Sequence, residues 1–178
     1  DRMGERKGYD RAISKAKALG MLPGSALYAD MEHYNPNDSA CRTAALRFLS
    51  GWTGELHRLG YLAGVYTHLN SGAKHLAQVY TSTSFNRPDA IWIARWDLSS
   101  SLSNWSGIPN SRWAEHQRGK QYRGDHNERY GGITLNIDKM KKEGVDLRET
   151  LLHEVQHAVQ GVEGFDPGSN LDIAPGQT

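Results

Sequence analysis

SALYADMEHYNPNDSACRTAALRFLSGWTGELHRLGYLAGVYT, residues 25–67, is the stretch that decides the fold. Residues 25–31 form a short apolar run behind the turn signal Pro23-Gly24, which predicts a buried strand. Asp38 or Ser39 can cap a helix over about 40–59, and Gly60 stops it. Residues 61–67 (YLAGVYT) predict a second strand. Strand, helix and strand in this order pair in parallel, with the helix on a face of the sheet.

The same alternation extends in both directions. Residues 9–19 suit a helix closed by Gly20, and residues 71–80 suit another. Residues 90–96 (AIWIARW) predict a strongly apolar strand, and the Ser/Asn/Gly/Pro-rich stretch 99–111 a loop. Residues 115–122 and 132–138 (GITLNID) are the last strand candidates. The expected class is therefore α/β, with about five strands. From Lys139 the texture changes: KMKKEG reads as a charged connector, and Asp146 caps a helix from Leu147 to about Gln160. Two parts are expected, residues 1–138 and 139–178.

Composition narrows the function classes. A net charge of +1 over 178 residues gives no electrostatic case for nucleic acid or an anionic membrane. No apolar run approaches membrane-spanning length, and no signal peptide is visible in these residues. One cysteine, Cys41, excludes an internal disulfide and a cysteine-rich zinc site, and it is expected as a buried, inert thiol.

Asp30-Met31-Glu32 stands at the end of the first strand. Residues two apart on a strand share a face, so the two carboxylates are neighbours, and crowding raises the pKa of one. A glycosidase needs such a pair, one carboxyl as proton donor and one to stabilise or attack the anomeric centre. The competing reading is a solvated pair at a strand end. Trp92 and Trp96, four apart on one strand, are expected in the core. Trp105 and Trp113, in or beside the long loop, are expected at a ligand rim.

Residues 26–67 resemble the glycoside-hydrolase-like barrel domain of secreted actinobacterial proteins, itself similar to lysozyme-type muramidase barrels. RPDAIWIARWD (87–97), HQRGKQYRGDHNERYGGITLNID (116–138) and the upstream YDRAISKAKALGMLPGS extend the resemblance over about residues 8–138. It implies an incomplete parallel (β/α) barrel, with Asp30 and Glu32 as catalytic carboxylates and Glu32 as general acid. It places Asp97, Gln121, Tyr122 and Asp138 at later strand ends facing the cleft. It further implies a cell-wall polysaccharide as substrate or ligand and a secreted or cell-surface location. The family barrel carries an early Asp in a G-F-D-like segment that lies upstream of these residues, so weak or absent glycan cleavage is expected. An open five-strand sheet leaves an edge that another chain or self-association must cover.

The second motif is His153-Glu154-Val155-Gln156-His157. Histidines four apart on a helix share a face and can hold one zinc ion, with Glu154 as base on a metal-bound water. Glu163, past the break at Gly161, is the candidate third ligand. The competing reading is an amphipathic helix that buries Leu151, Leu152, Val155 and Val159. Residues 147–168 resemble the zincin-like segment of large phage and mobile-element polypeptides, which implies a zinc-dependent peptidase module acting on a peptide. Two resemblances to different families lead to the expectation of a chimeric chain. A non-catalytic carbohydrate-binding or inert scaffold is the third function expected from these signals.

Overall fold

The computed structural model of the chain describes residues 2–130 and 133–142. The chain divides into residues 1–143 and 144–178, and the second unit, with the predicted helix over 147–160, lies outside the described residues. The elements are α1 (Arg2–Ala18), β1 (Ala26–Met31), α2 (Ser39–Arg58), β2 (Leu62–His68), a π turn (Leu69–Ala73) running into α3 (Lys74–Gln78), β3 (Ala90–Ala94), β4 (Arg118–Tyr130) and β5 (Ile133–Lys142). They form a mixed α/β domain around one sheet of order β1-β2-β3-β4-β5. The first four strands run parallel.

Local chemistry sets the first two helices. Asp38 caps α2, its Oδ1 accepting from the N–H groups of Ala40 (2.8 Å) and Cys41 (3.0 Å). Both helices end alike, on a glycine in the left-handed region. Gly20 (φ 81°) donates to Lys17 O, and Met21 donates to Ala16 O. Gly60 (φ 80°) donates to His57 O, and Tyr61 donates to Leu56 O. These paired bonds satisfy the last helical carbonyls and turn the chain into the next strand. Along α2 the buried residues Ala45, Leu49, Trp52 and Leu56 repeat at helical spacing, which makes one apolar stripe.

That stripe packs on one face of the sheet. Leu27 and Ala29, Ala63 and Val65, and Ile91 and Ile93 alternate toward it, and Tyr9, Ile13 and Ala16 of α1 join the same core. Polar anchors tie the layers together: Trp52 Nε1 donates to Gly64 O (3.3 Å), and Tyr61 OH donates to Met21 O (2.8 Å).

Several expectations need correction. β5 runs antiparallel to β4, from Tyr130 opposite Ile133 to Gly119 opposite Lys142. Two residues separate these strands, and a parallel return needs a crossover of a dozen or more. Gly131-Gly132 is the hairpin signal that announces this reversal. Residues 139–142, expected as a connector, belong to β5. β3 ends at Ala94, because the chain turns back there, with Asp97 N–H donating to Arg95 O (3.0 Å). Trp96 is consequently exposed and not in the core. Cys41 is also exposed, in the first turn of α2, and the Asp38 carboxylate pushes its thiol pKa up.

Trp105 and Trp113 are core residues, not rim residues. The β3–β4 connection carries no helix among residues 95–117, so these rings, with Ile108, fill the space against β3 that a crossover helix would take. Their N–H groups are satisfied inside, Trp105 Nε1 on Ser101 O (3.0 Å) and Trp113 Nε1 on Pro88 O (2.9 Å). Arg118 locks the connection. Its guanidinium lies 4.7 Å from the Trp105 ring centroid and donates to the carbonyls of Leu102, Pro109 and Arg112.

Candidate functional site

The sheet's other face carries different chemistry. Because Leu27, Ala29 and Met31 pack into the helix-side core, the pleat places Tyr28 and Asp30 opposite. The register sets Asp30 beside Tyr66, Tyr66 beside Trp92, and Trp92 beside Gly119. Glycines make room for the rings. A Cβ at Gly64 would strike the Tyr28 ring, and one at Gly119 would sit 3.0 Å from Trp92 Cγ. Trp92 meets Tyr28 and Tyr66 edge-on, with centroids 6.0 and 6.5 Å apart. Tyr66 OH donates to Gln121 Oε1 at 2.6 Å, closing a polar clasp from β2 to β4.

Asp30 is half-buried at the C-terminal end of β1, with its Oδ1 enclosed by protein. Glu32, also half-buried, follows the strand's last residue. The structure thus gathers Asp30 and Gln121 onto one face, with Glu32 at that strand end. Sequence reasoning missed His68, which ends β2 and shares the face of Tyr66. Its Nδ1 accepts the Asn70 N–H (3.1 Å), so the proton of the neutral ring sits on Nε2. Burial, together with His33 at 4.9 Å between ring centroids, holds the His68 pKa below the usual range. The detectable signal was its spacing of two from Tyr66 at a predicted strand end. Tyr34 OH and His75 Nδ1, 2.7 Å apart, tie the β1–α2 loop to α3.

Asp97 stands elsewhere. Asp97 is engaged by Lys120 Nζ (2.6 Å) and Arg95 Nε (2.7 Å). Lys120 alternates with Gly119 and Gln121, so its stem lies on the helix-side face, and its ammonium also donates to Ser99 O (2.7 Å). Desolvation alone would raise the Asp97 pKa. The Lys120 hydrogen bond, the Ser99 N–H and the nearby Lys120 and Arg95 charges outweigh it and hold the carboxyl below its ordinary value. The Asp97 carboxylate therefore neutralises a buried lysine. Tyr122 accepts the Leu98 N–H through its carbonyl (3.0 Å), where the β4–β5 register becomes irregular. Asp138 is carried on β5, and its side chain lies outside the described residues. His153, Glu154, His157 and Glu163 lie outside them as well. Among the described residues no group of three or more His, Cys, Asp or Glu side chains can hold a metal ion.

A mixed sheet with four parallel strands, helices on one face and two carboxylates at the end of its first strand makes this a mixed α/β domain. Residues 2–141 match the family described as the Rv2525c-like, glycoside hydrolase-like domain, and the chain belongs to that family. The match ends before HEVQH. Among solved structures the chain is similar to an uncharacterized B. stearothermophilus protein known from a 1.07 Å crystal structure. The two share 18% identity at a TM-score of 0.54, over 81% of this chain and 64% of that one. This chain therefore spans less than two thirds of that protein, and the likeness concerns the fold. No curated protein matches.

Proposed function

We propose that this domain acts on, or binds, a cell-wall polysaccharide through Asp30 and Glu32. The supporting observation is the position of Asp30, at the C-terminal end of a parallel strand and on the face away from the helices, with Glu32 beside it. In this reading the four parallel strands are part of a (β/α) barrel-type sheet, whose active groups gather at the strands' C-terminal ends. Glu32 then gives its proton to the glycosidic oxygen as the bond to the anomeric carbon breaks. The Asp30 carboxylate stabilises the positive charge that develops there, and a water then bonds to the anomeric carbon and returns a proton to Glu32. His68 supplies a hydrogen-bonding group for sugar hydroxyls, while Tyr66 and Gln121, buried and bonded to each other, tie β2 to β4. This chemistry belongs outside the membrane, where such polysaccharides lie. A zinc-peptidase alternative rests on the sequence of residues 147–168 alone.

The test is Glu32→Gln assayed on purified peptidoglycan, with circular dichroism as the fold control. The weak release of reducing ends expected of the unsubstituted chain should vanish in the variant while the spectrum stays unchanged. Turnover equal to that of the unsubstituted chain would remove Glu32 from the general-acid role.

A further inference from the structure

Of the five tryptophans, Trp96 alone stays open to solvent, at 53% against 5% or less for Trp52, Trp92, Trp105 and Trp113. A lone exposed apolar residue is ordinary on a protein surface. This one is held in place on both sides. The N–H groups of Arg95 and Leu98 donate to the carbonyls of Gln121 and Tyr122 on β4, each at 3.0 Å, so the backbone flanking Trp96 is pinned. Beneath the ring lies Gly124 of β4. The nearest neighbours of a Cβ built there are Cε2, Cζ2 and Nε1 of Trp96, so any larger residue would displace the indole. The same device seats Trp92 over Gly119 and Tyr28 over Gly64, but Trp92 is buried and Tyr28 half-buried against it.

We propose that Trp96 is a stacking plate for a pyranose ring, part of a binding path that crosses the C-terminal end of the sheet toward Asp30 and Glu32. The proposal rests on the glycan reading above and adds the residue that holds the sugar. A pyranose presents an apolar C–H face edged by hydroxyls. An indole held flat can cover that face and shed its water without first losing conformational freedom. The Trp96 ring lies over β4, three strand spacings or about 14 Å from β1, a distance that a trisaccharide spans. A sugar on Trp96 thus places a linkage further along the same glycan near the carboxylates.

The arrangement supplies its own probe, because acrylamide quenching of the intact chain reports mainly on Trp96. Saturating chitotetraose should shield the quenchable fluorescence. Calorimetry with the same tetrasaccharide should show binding roughly tenfold or more weaker in Trp96→Ala, as for truncation of an aromatic anchor. Trp96→Phe should keep most of the affinity. Gly124→Ala should weaken binding while leaving the indole in the chain, which a merely electrostatic effect of position 96 would not produce. Equal affinity of Trp96→Ala and the unsubstituted chain overturns the proposal. Absent shielding, with Glu32-dependent cleavage of peptidoglycan intact, overturns the plate alone. Absent shielding together with absent cleavage removes the glycan reading as well.

Discussion

The two faces of the sheet are built from the same strands and differ in their chemistry. Toward the helices stand Leu27, Ala29, Ala63, Val65, Ile91 and Ile93, aliphatic groups whose only demand is close packing. On the opposite side stand Tyr28, Asp30, Tyr66, Trp92 and Gln121, where rings rest on glycines and polar atoms must be satisfied one by one. Burying a polar group costs free energy that packing an aliphatic group does not. In the proposed reading the polar face is where specificity is gained, and the aliphatic face carries the packing of the helices.

The largest effect that would break this contrast lies on the helix-side face. Trp113→Ala should cost about 3–5 kcal/mol, since a fully buried ring and its bond to Pro88 are both lost. Urea unfolding measures it. A loss near zero would mean that the helix-free β3–β4 connection is not part of the core, and the contrast with Glu32→Gln, which spares the fold, would collapse.

Asp97→Ala comes next. It leaves the Lys120 ammonium, 2% exposed, without its carboxylate. The expected loss is about 2–3 kcal/mol, below that of severing a fully buried pair, because Asp97 itself is partly exposed and Ser99 O still accepts. An Asp97→Ala chain as stable as the original in urea would return Asp97 to the list of cleft residues. That the pair exists also gives an acid limit. The folded-state pKa of Asp97 is depressed, so its contribution is full above its ordinary value of 3.8 and is lost as pH falls below it.

The smallest effect separates His68, on the cleft side, from His75, buried on α3. Both have pKa values held below 6.5, chiefly by burial. Between 6.5 and those lower values the unfolded chain binds more protons than the folded one, so stability falls as pH falls through that window. Thermal melting from pH 7.5 toward pH 5 should show Tm declining. Substituting His75 with Phe should remove part of the decline. A Tm that is flat or rising toward acid would mean that neither ring is held neutral.

The first half of the fold was legible because its signals are local. Gly20 and Gly60 end their helices through their own backbone freedom, Asp38 caps through its own carboxylate, and residues 25–31 and 61–67 are short apolar runs behind turn signals. The reversal into β5 is also local, carried by Gly131-Gly132 between two strand-like runs. Asp30 and Glu32 were legible as a pair because their spacing alone puts them at one strand end.

Only the tertiary structure decided the rest. No local rule distinguishes Trp105 and Trp113, which fill the place of a missing helix, from Trp96, which stays open over Gly124. Nor does any local rule send Asp97 to Lys120, 23 positions along the chain, rather than into the cleft. Spacing in sequence fixes the directions of neighbouring side chains. Whether a ring is buried, or which charge a carboxylate meets, depends on what long-range packing brings against it, and that is a property of the assembled sheet.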